Sequence, residues 1–156
     1  MARYFLDTSA LIKRYVREPG HAWVRALCRP SSGNDLYLAE VALVEVVASF
    51  SRMARESPPR LTLSERDSLV RSFRRHARRG YNIVPVDRAI MNTAADRCLA
   101  HPLRAYDAVQ LACALRVRDD AMAIGVMPPI FVCADDALLA VAAAEGLSVE
   151  NPHAHP

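Results

Sequence analysis

The sequence predicts an α/β protein, a three-layer α/β/α sandwich around a central parallel sheet of four to five short strands. Three observations predict it. Short apolar runs of strand length alternate along the whole chain with helices or helix pairs. Two of those runs end alike, in a carboxylate followed by a helix, at Asp7 and at Asp135. Connections long enough to hold a helix place successive strands parallel, and helices then cover both faces of the sheet.

The elements follow in order. Tyr4-Phe5-Leu6 is a buried strand, and Asp7-Thr8-Ser9 turns it into a helix running to about Arg17. Glu18-Pro19-Gly20 stops that helix, and a short one from about His21 to Arg29 carries Trp23, Val24 and Leu27 on one side. Pro30 to Asp35 is a loop, and Leu36-Tyr37-Leu38 is the second strand. A long helix spans about Glu40 to Arg55, and Ser57-Pro58-Pro59 ends it. Thr62-Leu63-Ser64-Glu65 is a capping-box signature for a helix reaching Arg79, with Gly80 as its stop.

Tyr81 to Val86 reads as a third strand, in which Pro85 must lie near an end or on an edge. Asp87 caps a helix to Ala100, His101-Pro102 breaks it, and an apolar helix spans Tyr106 to Val117. Ile130 to Cys133 is the fourth strand, Asp135-Asp136 opens a helix to Glu145, and Leu147-Ser148-Val149 adds an edge strand. The 156 residues suit one domain, residues 1–152, and the His- and Pro-rich end, 153–156, reads as a short disordered tail.

Composition narrows the function. With 52% hydrophobic and 24% charged residues, and no apolar run long enough to span a bilayer, a soluble cytoplasmic protein with no membrane partner is expected. The four cysteines are scattered and lack paired spacing, so buried free thiols are expected rather than a zinc site. Net charge is only +3, a weak field for nucleic acid, yet Lys13 is the one lysine among twenty basic residues. Arginine is the better residue for bidentate phosphate contacts, although a GC-rich genome has the same effect. Arg71, Arg74, Arg75, Arg78 and Arg79 crowd one helix. Either that face is merely solvated, or Arg71, Arg75 and Arg78, with Arg14 and Arg104 near the acidic edge, track an RNA backbone.

Four carboxylates sit where apolar sequence presses against them: Asp7, Glu45, Asp107 and Asp135. Asp7, Asp107 and Asp135 all suit N-caps, with Gln110 a weak capping-box partner for Asp107. Glu45 is different. Its helical neighbours are Val41, Ala42, Ala48 and Ser49, with no cation in reach, so it should line a cavity or meet a metal ion. Glu40, about 140° round the same helix, serves the helix dipole instead. Acids at the carboxyl ends of parallel strands project to one edge. There they repel, by about 4 kcal/mol for charges about 4 Å apart at an effective dielectric near 20. An all-oxygen acidic site calls for Mg²⁺ or Mn²⁺, and the chemistry is hydrolysis of a phosphate ester. Thr8 and Ser9 would steady a carboxylate or a water by hydrogen bonding, or simply cap. A haloacid-dehalogenase-like phosphatase would need a second acid where Ser9 stands, and a receiver domain would need a lysine after a late strand.

The stretches Tyr4 to Leu11, Leu43-Val44-Glu45-Val46, Leu103-Arg104-Ala105-Tyr106-Asp107-Ala108 and Phe131-Val132-Cys133-Ala134-Asp135 resemble the PIN-domain ribonucleases, and more narrowly the VapC toxins of type II toxin–antitoxin pairs. The resemblance covers Arg3 to about Pro152. It implies a Mg²⁺- or Mn²⁺-dependent endoribonuclease whose acidic quartet maps onto Asp7, Glu45, Asp107 and Asp135. It also implies an RNA substrate, a homodimer and a VapB-like antitoxin. Many relatives carry Thr or Ser where Cys133 stands and Ser where Ala39 stands. A catalytically inactive PIN-like module that binds protein or RNA is the second reading.

Overall fold

The structure is a computed structural model that describes residues 2–155. Five strands form one parallel sheet: β1 (Arg3–Leu6), β2 (Asp35–Ala39), β3 (Asn82–Val84), β4 (Ile130–Val132) and β5 (Ser148–Glu150). Their order is β3-β2-β1-β4-β5, so the chain builds outward from β1 to one edge and then returns to its other side. Register pairs Phe5 with Tyr37 on one side and with Phe131 on the other. β3 is an edge strand and stops one residue before Pro85, which has no N–H to give a ladder.

Period-two alternation divides the core into two layers. Phe5, Ala39 and Phe131 face the layer of α5 (Arg88–Ala100), α6 (Ala105–Ala123) and α7 (Asp136–Ala144). Leu6, Leu36, Leu38 and Val132 face α1 (Thr8–Leu11), α2 (His21–Leu27), α3 (Ala42–Met53) and α4 (Leu63–Arg79). This is the three-layer sandwich expected from the sequence. The Phe5 and Phe131 rings stack at 5.8 Å in the middle of the sheet. No helix among the described residues is long and apolar enough to cross a membrane.

Three local expectations are corrected. The first helix is one turn long and tightens into a 3-10 turn at Ile12–Arg14. Glu40 precedes α3 rather than lying in its first turn, and its carboxylate accepts the Val86 N–H at 3.0 Å. α6 runs six residues past Val117, because buried Ala121 keeps one face on the core while Arg118, Asp119 and Asp120 form ion pairs outside. Residues 152–154 form a 3-10 turn. Pro152 is buried, Asn151 caps the turn, and the His155 ring stacks on Trp23 at 4.3 Å. Gly20, at φ +84, lets this segment dock: a Cβ there would lie 2.4 Å from the Pro152 carbonyl oxygen. Pro156 lies outside the described residues.

Candidate active site

In a sheet of order 3-2-1-4-5 the chain reverses direction between β1 and β4, and a crevice opens at the carboxyl ends of those two strands. Asp7 follows β1 and Asp135 follows β4 by three residues, so both stand at that crevice. The Asp7 N–H extends the β1–β4 ladder by bonding the Val132 carbonyl at 2.9 Å.

Asp7 is buried and caps α1. Its Oδ2 accepts the Ser9 N–H at 2.9 Å, the Ser9 hydroxyl at 2.6 Å and the Cys133 thiol at 3.5 Å. Burial nevertheless dominates and pushes its pKa up, with the Asp107 charge adding to the rise. Asp135 caps α7 by accepting the Ala137 and Leu138 N–H groups on Oδ1. The adjacent Asp136 instead accepts from Asn151 at 2.7 Å. Capping and site membership are thus the same geometry, since a cap sits where strand gives way to helix.

Asp107 is not a cap. It is the third residue of α6, and no hydrogen bond among the described residues engages its carboxylate. Burial raises its pKa, Arg104 pulls against that, and the Asp135 and Glu45 charges raise it further. All four predicted acids are therefore linked by charge around Asp107.

Glu45 meets neutral donors rather than a cation. Its Oε2 accepts the Thr8 hydroxyl at 2.7 Å and the Gln110 amide at 2.7 Å, and the same amide also donates to Thr8 at 2.8 Å. Gln110 is the residue that sequence reasoning missed. It is 1% exposed, and three residues after Asp107 it turns inward instead of closing a capping box. Its Oε1 is buried without a partner. The available signal was a polar residue inside the apolar run Ala108 to Leu115.

Cys133 takes the position where a hydroxyl is expected and bonds in a hydroxyl's manner. Besides its contact with Asp7, its sulfur accepts the Asp135 N–H at 3.3 Å. The thiol stays protonated, with burial as the main cause and Asp7 the next.

The basic residues separate. The Arg104 charge acts on Asp107 and lowers its pKa. Arg14 does not lie near the acids: it packs against Tyr81 and, with Arg75, lines a cavity at the amino ends of β2 and β3. Arg71 and Arg78 are exposed on α4.

The donor set suits a hard divalent cation: carboxylate oxygens only, two of them with raised pKa values, and at least one oxygen on each acid left outside the hydrogen bonds above. As the side chains stand, no group of three or more His, Cys, Asp or Glu among the described residues is placed to hold a metal ion. Asp7, Glu45 and Asp135 are each tied to their own helix end or neighbour, so a cation would have to draw them together.

A family model for the PIN domain matches residues 4–124. The chain belongs to the PIN-domain family. Solved structures share this fold over more than nine-tenths of the chain. FitAcB from Neisseria gonorrhoeae matches at a TM-score of 0.63 with 16% identity, covering 98% of this chain and 99% of that one. VapBC2 from Rickettsia felis, bound to a DNA fragment from its promoter, matches at 0.60 with 12% identity over 96% and 98%. VapC20 from Mycobacterium tuberculosis, a toxin that cleaves the sarcin–ricin loop, matches at 0.58 with 14% identity over 92% and 95%. A search of curated proteins finds no sequence match. Within the PIN fold, Asp7 and Asp135 stand at the crevice between β1 and β4.

Proposed function

We propose that this PIN-domain protein is a divalent-metal-dependent endoribonuclease and the toxin of a VapBC-like pair. One observation carries the proposal. Asp7 and Asp135 stand at the β1/β4 crevice, Asp107 lies near enough to feel the charges of Asp135 and Glu45, and its own charge acts on Asp7. Like charges brought near one another at one edge repel, and a bound divalent cation is the natural compensation. Two PIN-fold neighbours named for VapC and VapBC support the toxin role, and the RNA target of VapC20 supports RNA as substrate.

Asp7, Glu45, Asp107 and Asp135 would hold Mg²⁺ or Mn²⁺. When bound, such an ion neutralises developing phosphate charge and lowers the pKa of an attacking water. The chain itself supplies positioning. The Ser9 hydroxyl and the Cys133 thiol fix one oxygen of Asp7, and Thr8 and Gln110 together fix one oxygen of Glu45. Burial around Asp7 excludes water and strengthens each of these contacts. Arg104, whose charge acts on Asp107, would meet the scissile phosphate or the strand beside it. The proposal includes a homodimer, an antitoxin that covers the acidic crevice, and a cytoplasmic location.

The decisive experiment incubates total RNA with the protein and Mn²⁺, with EDTA, and with the Asp7→Asn variant. Discrete cuts that need both metal and Asp7 establish the nuclease. The second reading is an inactive RNA- or protein-binding module. RNA bound but left intact with Mn²⁺ would decide for that module.

A further inference from the structure

At the opposite edge of the sheet, where β2 and β3 begin, a cavity of about 490 Å³ opens between α4 and the loop after α2. β2, roughly 13 Å long from Asp35 to Ala39, runs from this cavity to the edge where Asp7 and Asp135 stand. Its wall holds Arg14, Arg29, Arg75 and Arg79, together with His76. None of these four arginines forms an ion pair among the described residues. The one carboxylate in the wall, Asp35, is already paired with Arg3 at 3.5 Å.

Arg14 is the centre of the cavity wall. Its guanidinium is half-buried and lies over the Tyr15 and Tyr81 rings at 5.7 and 5.4 Å. It donates to the Tyr81 hydroxyl, which lies 3.2 Å from the Tyr15 hydroxyl, itself 3.0 Å from His76 Nδ1. This network holds the guanidinium in place without neutralising it. A buried charge normally finds an opposite charge. The surplus is felt nearby: burial, then the charges of Arg14 and Arg75, hold the His76 imidazole below its usual range. Cavities of this size accept small ligands.

We propose that this cavity binds a phosphate group, gripped by Arg14 with Arg29, Arg75 and Arg79 as a fixed donor cluster remote from the acidic crevice. The guanidinium fork matches phosphate oxygens, and such charge-assisted bonds are the strong ones. The phosphate comes either from a free nucleotide or from an RNA strand that passes over the cavity.

The test uses the full-length Asp7→Asn protein, so that RNA stays intact. Arginine side-chain and His76 signals are followed by NMR at constant ionic strength. Inorganic phosphate, adenosine monophosphate and a short oligoribonucleotide are titrated separately. Saturable shifts of Arg14 and His76 are expected, weakened by about tenfold or more in an Arg75→Gln/Arg79→Gln double variant. Both positions are exposed on α4, so this variant keeps its fold where Arg14→Gln risks losing it. Saturation by phosphate or the mononucleotide assigns a free phosphate ester, and saturation by the oligonucleotide alone assigns a strand. No saturation in any arm, or affinity unchanged in the double variant, overturns the proposal.

Discussion

Replacing Gln110 with Met separates activity from stability. Met fills nearly the same volume and, like the side chain it replaces, suits a buried helix position. Two hydrogen bonds disappear: the 2.8 Å bond to Thr8 and the 2.7 Å bond to the Glu45 carboxylate. A neutral bond contributes about 1 kcal/mol and one to a carboxylate about 2. Against this, the orphaned Oε1 also disappears. Its desolvation costs the wild type about 1–3 kcal/mol. The terms nearly cancel, so stability should change by no more than about 2 kcal/mol, or a few degrees in Tm for a chain of this size. Activity has no such offset. Glu45 keeps only Thr8 as a donor, and loss of a partner that orients a metal ligand typically costs about 10–100-fold. The assay is Mn²⁺-dependent RNA cleavage beside thermal melting, with Mn²⁺ affinity by calorimetry. A folded Gln110→Met variant with wild-type cleavage and wild-type Mn²⁺ affinity would refute a positioning role for Gln110.

Further outcomes can be checked on the same protein. Burial raises the Asp7 pKa above its unfolded value, so the folded state binds that proton more tightly and stability falls as pH rises through the folded pKa. Asp7→Asn, melted in EDTA, should therefore exceed wild type in Tm at neutral pH, the gap closing as pH falls to the usual carboxylate range; equal melting at all pH values would contradict this. Thr62 accepts the Glu65 N–H at 3.2 Å while Glu65 accepts from the Thr62 N–H at 2.7 Å. Thr62→Ala should thus cost about 1 kcal/mol in denaturant titration. Cys98 is the exposed thiol, while burial raises Cys28 to about 11 and Cys113 to about 12, and pushes Cys133 upward as well. A thiol reagent near pH 8 should modify one cysteine in the native protein and four in denaturant; a second fast native thiol would contradict the burial of the others. Arg104→Ala removes the charge that pulls the Asp107 pKa down, so the acid limb of the cleavage profile should move to higher pH.

The sequence by itself determined what depends on near neighbours. The alternation of strands and helices, the Thr62–Glu65 capping box and the stop at Gly80 are set by residues within a turn or two and stand as read, whereas the ends of the first helix and of α6 moved. The places of Asp7 and Asp135 were legible as well, because a carboxylate just past the end of a parallel strand has only one edge to face. Tertiary structure decided what joins distant segments. Gln110 reaches Thr8 across 102 residues of chain and Glu45 across 65, so a polar residue that looked like half of a cap became a support for the acidic site. Arg14 meets Tyr81 across 67 residues, which moved it from the acidic edge to the far end of the sheet. The last residues showed no pattern of their own, yet Gly20 and Trp23 hold them in place. In each case local sequence sets the direction of an element, while the packing of the two helical layers decides which side chains share a buried space, and short-range propensity carries no record of that choice.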